Sequence, residues 1–183
     1  MRAFSSTCLE AFVGVGSNLD PEESILSALP EIQGRLQVLE ASRFFRNPAL
    51  SPDNRDLPPF VNGVLRVRAD RCPSDLKFGV LRQIEAKMGR RRGGDRFGPR
   101  SLDLDLLLYG DGEGKADGLT LPDPGILGQP FWVVPLADLI PERWLPGTSL
   151  RLREIVRTVD TRAFVYLEDF TEEVRRSLRS GCS

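Results

Sequence analysis

The sequence predicts an α+β fold, helices packed on an antiparallel sheet in a two-layer sandwich, and three observations carry that prediction. Strand-like and helix-like periodicities follow one another in the order β-α-β-β-α-β up to Tyr109. The 183 residues, 40% of them apolar, are enough to bury one core but not to call for two. No repeat or low-complexity tract interrupts the pattern. A single domain over 1–183 is therefore expected, with a core at about 10–145 and a C-terminal helical extension at about 148–179.

Ala11 to Val15 is an apolar strand ending at Gly16. Ser17-Asn18 and Asp20-Pro21 supply turn and helix-start chemistry, since proline suits the first helical turn. Ile25, Leu26, Leu29 and Ile32 have helical spacing, and Pro30 predicts a kink or an early end. Leu36 to Phe45 reads as one second strand, Pro48 to Pro59 as a loop, and Val61 to Val67 as an alternating third strand. Pro73-Ser74 opens a second helix with an apolar stripe of Leu76, Val80, Leu81 and Ile84, ending near Gly89. Leu102 to Tyr109 is the fourth strand, completing the pattern of a ferredoxin-like sandwich. Beyond it, Gly110 to Gly118 reads as a mobile hairpin end and Phe131 to Leu139 as a strand or short helix. Leu150 to Val156 and Phe170 to Leu178 read as terminal helices, and Ser180 to Ser183 as a frayed end.

Composition excludes several chemistries. The chain has no histidine, and its three cysteines, Cys8, Cys72 and Cys182, are far apart. That rules against a zinc site, a Ser-His-Asp triad and a Cys-His pair. With 25 basic and 26 acidic residues the formal charge is −1, which offers no general argument for nucleic acid. Met1 to Glu10 lacks the apolar core of a secretory signal, and no run approaches membrane-spanning length, so a cytoplasmic protein without a membrane partner is expected.

The segment Arg96 to Tyr109, R-F-G-P-R-S-L-D-L-D-L-L-L-Y, is the most informative. Strand alternation projects Asp103 and Asp105 from one face and the leucines from the other. Neighbouring carboxylates repel each other and are best kept ionised by a shared cation, and oxygen ligands of this kind suit Mg²⁺. An isolated D-L-D in a strand is most often just the solvated face of a half-buried sheet. What tips the balance is the stretch from Arg90 to Leu102, which holds five arginines and three glycines. So basic and flexible a loop beside an acidic pair makes sense if a polyanion and its metal fit between them.

At these residues the chain resembles the 6-hydroxymethyl-7,8-dihydropterin pyrophosphokinase family, which moves pyrophosphate from ATP to a pterin alcohol in folate biosynthesis. R-F-G-P-R-S-L-D-L-D-L-L is similar to the family signature. Gly14-Val15-Gly16-Ser17-Asn18-Leu19, Phe45-Arg46-Asn47-Pro48-Ala49-Leu50, Phe60-Val61-Asn62-Gly63 and Leu119-Thr120-Leu121-Pro122 follow in the family's order, then Phe131 and Pro135-Leu136. The resemblance implies that Asp103 and Asp105 hold two Mg²⁺ ions on the ATP phosphates. It implies transition-state and triphosphate contacts from Arg92 and Arg100, and a nucleotide site that also includes Glu85, Arg90, Arg96, Leu106 and Thr120. For the pterin it implies a sandwich between Phe60 and Phe131, an edge read by Asn62, and a loop of Asn47, Pro48 and Leu50. ATP and the pterin are then the expected partners, and the expected enzyme is a monomer.

Some positions depart from the family pattern. Asp123 and Pro124 stand where histidine and tyrosine are usual, Gln129 where a base is expected, Gly118 for an arginine and Phe97 for a tryptophan. Asp123 and Gln129 motivate one other reading, a degenerate family member that binds pterin or nucleotide with little turnover, and a ferredoxin-like sheet with a basic loop motivates a second, an RNA-binding module. The second would need exposed aromatics on the central strands, and the two aspartates would repel a phosphate backbone.

Overall fold

The computed structural model describes residues 9–49, 57–89 and 101–181. Its main sheet is antiparallel. The central strand β1 (Leu9–Ser17) pairs on one side with β4 (Phe60–Ala69) and on the other with β5 (Asp103–Tyr109). The short strands β2 (Val38–Ala41) and β3 (Phe45–Asn47) both pair with β4, and β3 carries β8 (Val165–Tyr166) on its far edge. The order is β5-β1-β4-β3-β8. A separate hairpin joins β6 (Gly114–Ala116) to β7 (Leu119–Leu121).

Helix α1 (Pro21–Gln33) begins at its proline and runs through Pro30, which falls in the final turn. A π-helical segment, Asp75–Leu81, leads into α2 (Arg82–Lys87). After β7 come α3 (Gly125–Gly128) and α4 (Pro130–Leu139), then α5 (Leu152–Val156) and α6 (Glu168–Ser180). Among the described residues no helix is long and apolar enough to cross a membrane.

Strand β1 explains why helices cover both faces. Its successive residues Ala11, Phe12 and Val13 are all buried, so each side of the pleat needs a cover. Ala11, Val13 and Val15 meet α1, the π-helical segment, α2 and α6 through Ile25, Leu29, Leu76, Ile84 and Phe170. On the reverse face Phe12, Val64 and Leu108 meet α4 and α5 through Trp132, Val133, Leu136, Leu152 and Ile155. This corrects the two-layer expectation: α4 and α5 add a third layer.

Three local differences have physical causes. The expected strand Leu36 to Phe45 divides into β2 and β3, because the Ser42 hydroxyl accepts the Val64 N–H at 2.8 Å and takes the ladder's place. Phe131 to Leu139 resolves as helix, opened by Pro130 in the first turn of α4. The helix expected from Leu150 starts at Leu152, where the Glu154 carboxylate accepts the Arg151 N–H at 2.7 Å.

Candidate active site

One sheet face carries the site residues. Directly opposed residues on antiparallel strands point to the same side, and Asp103 opposes Gly16, Gly16 opposes Asn62, and Asn62 opposes Phe45. The adjacent row runs Asp105, Gly14, Val64. Phe60 and Asn47 oppose each other one step further along the same face. Two strand spacings, about 10 Å, therefore separate the backbone of Asp103 from that of Asn62.

The glycines of Gly14-Val15-Gly16 make the floor of this face. A Cβ on Gly14 would lie 2.5 Å from the Trp132 ring, and one on Gly16 would lie 2.4 Å from Asn62 Oδ1. Any larger residue at either place would push out the side chain above it. Trp132 thus seats the start of α4 on β1, with the adjacent Phe131 ring half-buried and 5.0 Å from it, edge to face.

The amide pair on the floor is internally bonded. Asn62 donates to Asn47 Oδ1 at 2.8 Å, and Asn47 in turn donates to the Pro48 carbonyl at 3.0 Å. Both amides are buried, so this chain of bonds fixes which atoms each can still offer. Phe60 is half-buried at the start of β4. Beyond Pro48, a cavity lined by Asn47, Pro48, Leu57, Pro59, Ala163 and Val165 brings the C-terminal segment beside the same loop.

At the other end of the row, β5 is the sheet edge. Leu104 turns its backbone groups outward there, and two side chains meet them. The Glu85 carboxylate accepts the Leu104 N–H at 2.8 Å, while Lys77 Nζ donates to the Leu104 carbonyl at 2.7 Å and to Asp105 Oδ1 at 2.6 Å. Eight α-helical residues would leave Lys77 and Glu85 about 80° apart around the axis. The π-helical segment takes up the extra residue and brings both to Leu104. The sequence reading missed Lys77; the available signal was a lysine as the one charged residue in the run Leu76 to Leu81.

Asp123 and Gln129 come together beside Gly125, where a Cβ would meet Gln129 Oε1 at 2.7 Å and Asp123 Oδ1 at 2.9 Å. Asp123 accepts the Gly125 N–H at 2.7 Å. Burial pushes its carboxyl above the ordinary carboxylate range against that bond; the charge of Asp105 raises it further and that of Lys77 lowers it. Gly118 has its own reason to be glycine, because Asp117 and Gly118, with φ of 54° and 77°, form the tight turn between β6 and β7.

Of the other expected site residues, Thr120 is half-buried on β7, while Leu106 is sealed in the core. Arg90, Arg92, Arg96, Arg100, Phe97 and Leu50 lie outside the described residues. Among the described residues no group of three or more acidic, cysteine or histidine side chains is arranged to hold a metal. The pair Asp103 and Asp105 fits a hard cation that keeps waters and substrate oxygens in its shell, the habit of Mg²⁺, and not one that needs a protein cage.

Sequence relatives give the class first: they are pyrophosphokinases. A protein from Synechocystis named 2-amino-4-hydroxy-6-hydroxymethyldihydropteridine pyrophosphokinase is 33% identical over 163 residues, covering 87% of this chain and 81% of its own. Proteins of the same name from Haemophilus influenzae and Pseudomonas aeruginosa are 32% and 37% identical, covering 81% and 74% of this chain and 92% and 83% of their own. The model of the 7,8-dihydro-6-hydroxymethylpterin-pyrophosphokinase family matches residues 12–141, and the chain belongs to that family. The fold is shared with the Plasmodium falciparum HPPK-DHPS crystal structure with pterin and p-hydroxybenzoate, at a TM-score of 0.64 and 13% identity. That match covers 84% of this chain and 43% of the longer one.

Proposed function

We propose that this chain transfers the terminal pyrophosphoryl group of ATP to the hydroxyl of 6-hydroxymethyl-7,8-dihydropterin and releases AMP, a step of folate biosynthesis. The pterin oxygen forms a bond to the β-phosphorus as the bond from that phosphorus to the α,β-bridging oxygen breaks, and the hydroxyl proton passes to solvent. The observation that carries this reading is the single cross-strand row of Asp103, Gly16 and Asn62. It sets a carboxylate pair fit for metal and phosphate about 10 Å from an amide pair fit for a heterocycle's hydrogen-bonding edge.

In this reading Asn62, Asn47 and Pro48 hold the pterin edge, and Phe60 and Phe131 flank its ring. Asp103 and Asp105 would hold Mg²⁺, two ions in all, which when bound neutralises phosphate charge. Glu85 and Thr120 shape the nucleotide side, and Arg90, Arg92, Arg96 and Arg100 supply its cations; Leu106, sealed in the core on the opposite face of β5, takes no part in it. Transfer of this kind rests on alignment and charge neutralisation, so a chain without histidine can perform it. The strand order β5-β1-β4-β3 supports reading the core as ferredoxin-like. The same reading makes the protein a cytoplasmic monomer whose partners are small molecules.

The meeting of Asp123 and Gln129 beside Gly125 favours one second reading, a family member that binds ligands with little turnover. AMP release from ATP, measured with and without Mg²⁺ and the pterin, separates the two. Release that needs both supports the transferase; pterin binding without AMP release supports the second reading.

A further inference from the structure

The acidic pair has a resident cation of its own. Lys77 Nζ lies 2.6 Å from Asp105 Oδ1 and 2.7 Å from the Leu104 carbonyl, with its side chain only 16% exposed. The second bond matters, because it ties the ammonium to the backbone of the strand that carries both aspartates. The π-helical segment that aims Lys77 there is a rare backbone form, met most often at functional sites. Asp123 is a further negative neighbour, close enough to feel both Asp105 and Lys77.

We propose that Lys77 is a positioning residue that holds Asp105 and competes with a divalent cation for its Oδ1, so that the acidic pair takes up metal together with nucleotide and not alone. The proposal rests on the assignment of Asp103 and Asp105 as metal ligands. An ion arriving alone must displace the ammonium or be content with one oxygen of Asp105. An ion arriving on a triphosphate brings further oxygens that compensate for the one Lys77 holds. A neutral side chain at 77 removes the competitor.

Mn²⁺ alone is a suitable probe, its binding to the nucleotide-free protein followed by paramagnetic resonance of the free ion. Lys77→Met, which keeps the aliphatic stem, should bind Mn²⁺ on the order of tenfold more tightly than the wild type, the worth of one charge-assisted hydrogen bond. Lys77→Gln keeps a donor for the Leu104 carbonyl without the charge; it should behave like Lys77→Met, and it decides the matter if Lys77→Met does not fold. Lys77→Arg should restore weak binding. Equal or weaker Mn²⁺ affinity in the neutral variants overturns the proposal. Asp103→Asn and Asp105→Asn separate the two claims. If neither changes Mn²⁺ binding in the wild type or in Lys77→Met, the metal assignment itself fails. If they weaken it while the charge at 77 has no effect, only the role of Lys77 falls.

Discussion

On one face of β5, Leu104 and Leu106 are sealed into the core at 1% exposure each, while on the other Asp103 and Asp105 are half-exposed and face a floor of glycine. The two faces differ by one residue of register. On the core face the leucine side chains join an apolar cluster that α1, the π-helical segment, α2 and α6 cover, so the contribution of each side chain is burial. On the site face the chain has given up packing at Gly14 and Gly16 and set charges and amides around the space. The comparison teaches that one strand can carry stability and chemistry separately, because its side chains alternate.

The sharpest way to break that separation is to delete charge from the site face. Asp103→Ala should cut turnover by about a thousandfold or more, since a divalent cation on the phosphates is worth several kcal/mol, and should leave the melting temperature near that of the wild type. A variant with near-normal turnover would remove Asp103 from the metal site. Next in size is the amide. Asn62→Ala removes the amide assigned to the pterin edge and should raise KM for the pterin roughly tenfold, the worth of about 1–1.5 kcal/mol for a hydrogen bond, with kcat for ATP-saturated enzyme less affected. An unchanged KM would place the pterin elsewhere.

The smallest effect concerns Asp123. Its carboxyl sits above the ordinary carboxylate range because it is buried, so the folded state binds the proton more tightly than the unfolded state does. Stability contributed by this group is therefore present at low pH and lost as pH rises from the unfolded value through the raised folded one. Asp123→Asn retains an oxygen for the Gly125 N–H and removes the charge. Its stability relative to the wild type should rise across that window, as urea unfolding from pH 3 to 7 would show. A difference independent of pH would mean that Asp123 is not held above its ordinary range.

Much of this was readable from the sequence, and the reasons are physical. The alternation of Leu102 to Leu106 assigns Asp103 and Asp105 to one face without any knowledge of the fold. The apolar stripes of α1 and of the π-helical segment with α2 likewise locate the main core. What escaped was whatever depends on a departure from regular period. Lys77 meets Glu85 at Leu104 only through a π-helical turn, which a 3.6-residue period does not anticipate. The break between β2 and β3 depends on one serine hydroxyl bonding to a distant strand. Strand β8 spans two residues, too few for any alternation to register. The row of Asp103, Gly16 and Asn62 is a matter of strand register, which no single strand's sequence contains.

The most direct test of the account is a paired measurement on β5, comparing Asp105→Asn with Leu106→Ala for both turnover and unfolding free energy. The two variants should show opposite profiles. Asp105→Asn should lose turnover by orders of magnitude with unfolding free energy near wild type, whereas Leu106→Ala should lose about 2–5 kcal/mol of stability and keep most of its turnover while folded. If Asp105→Asn turns over normally, or if it loses activity only by unfolding, the assignment of the site to this face of the sheet is contradicted.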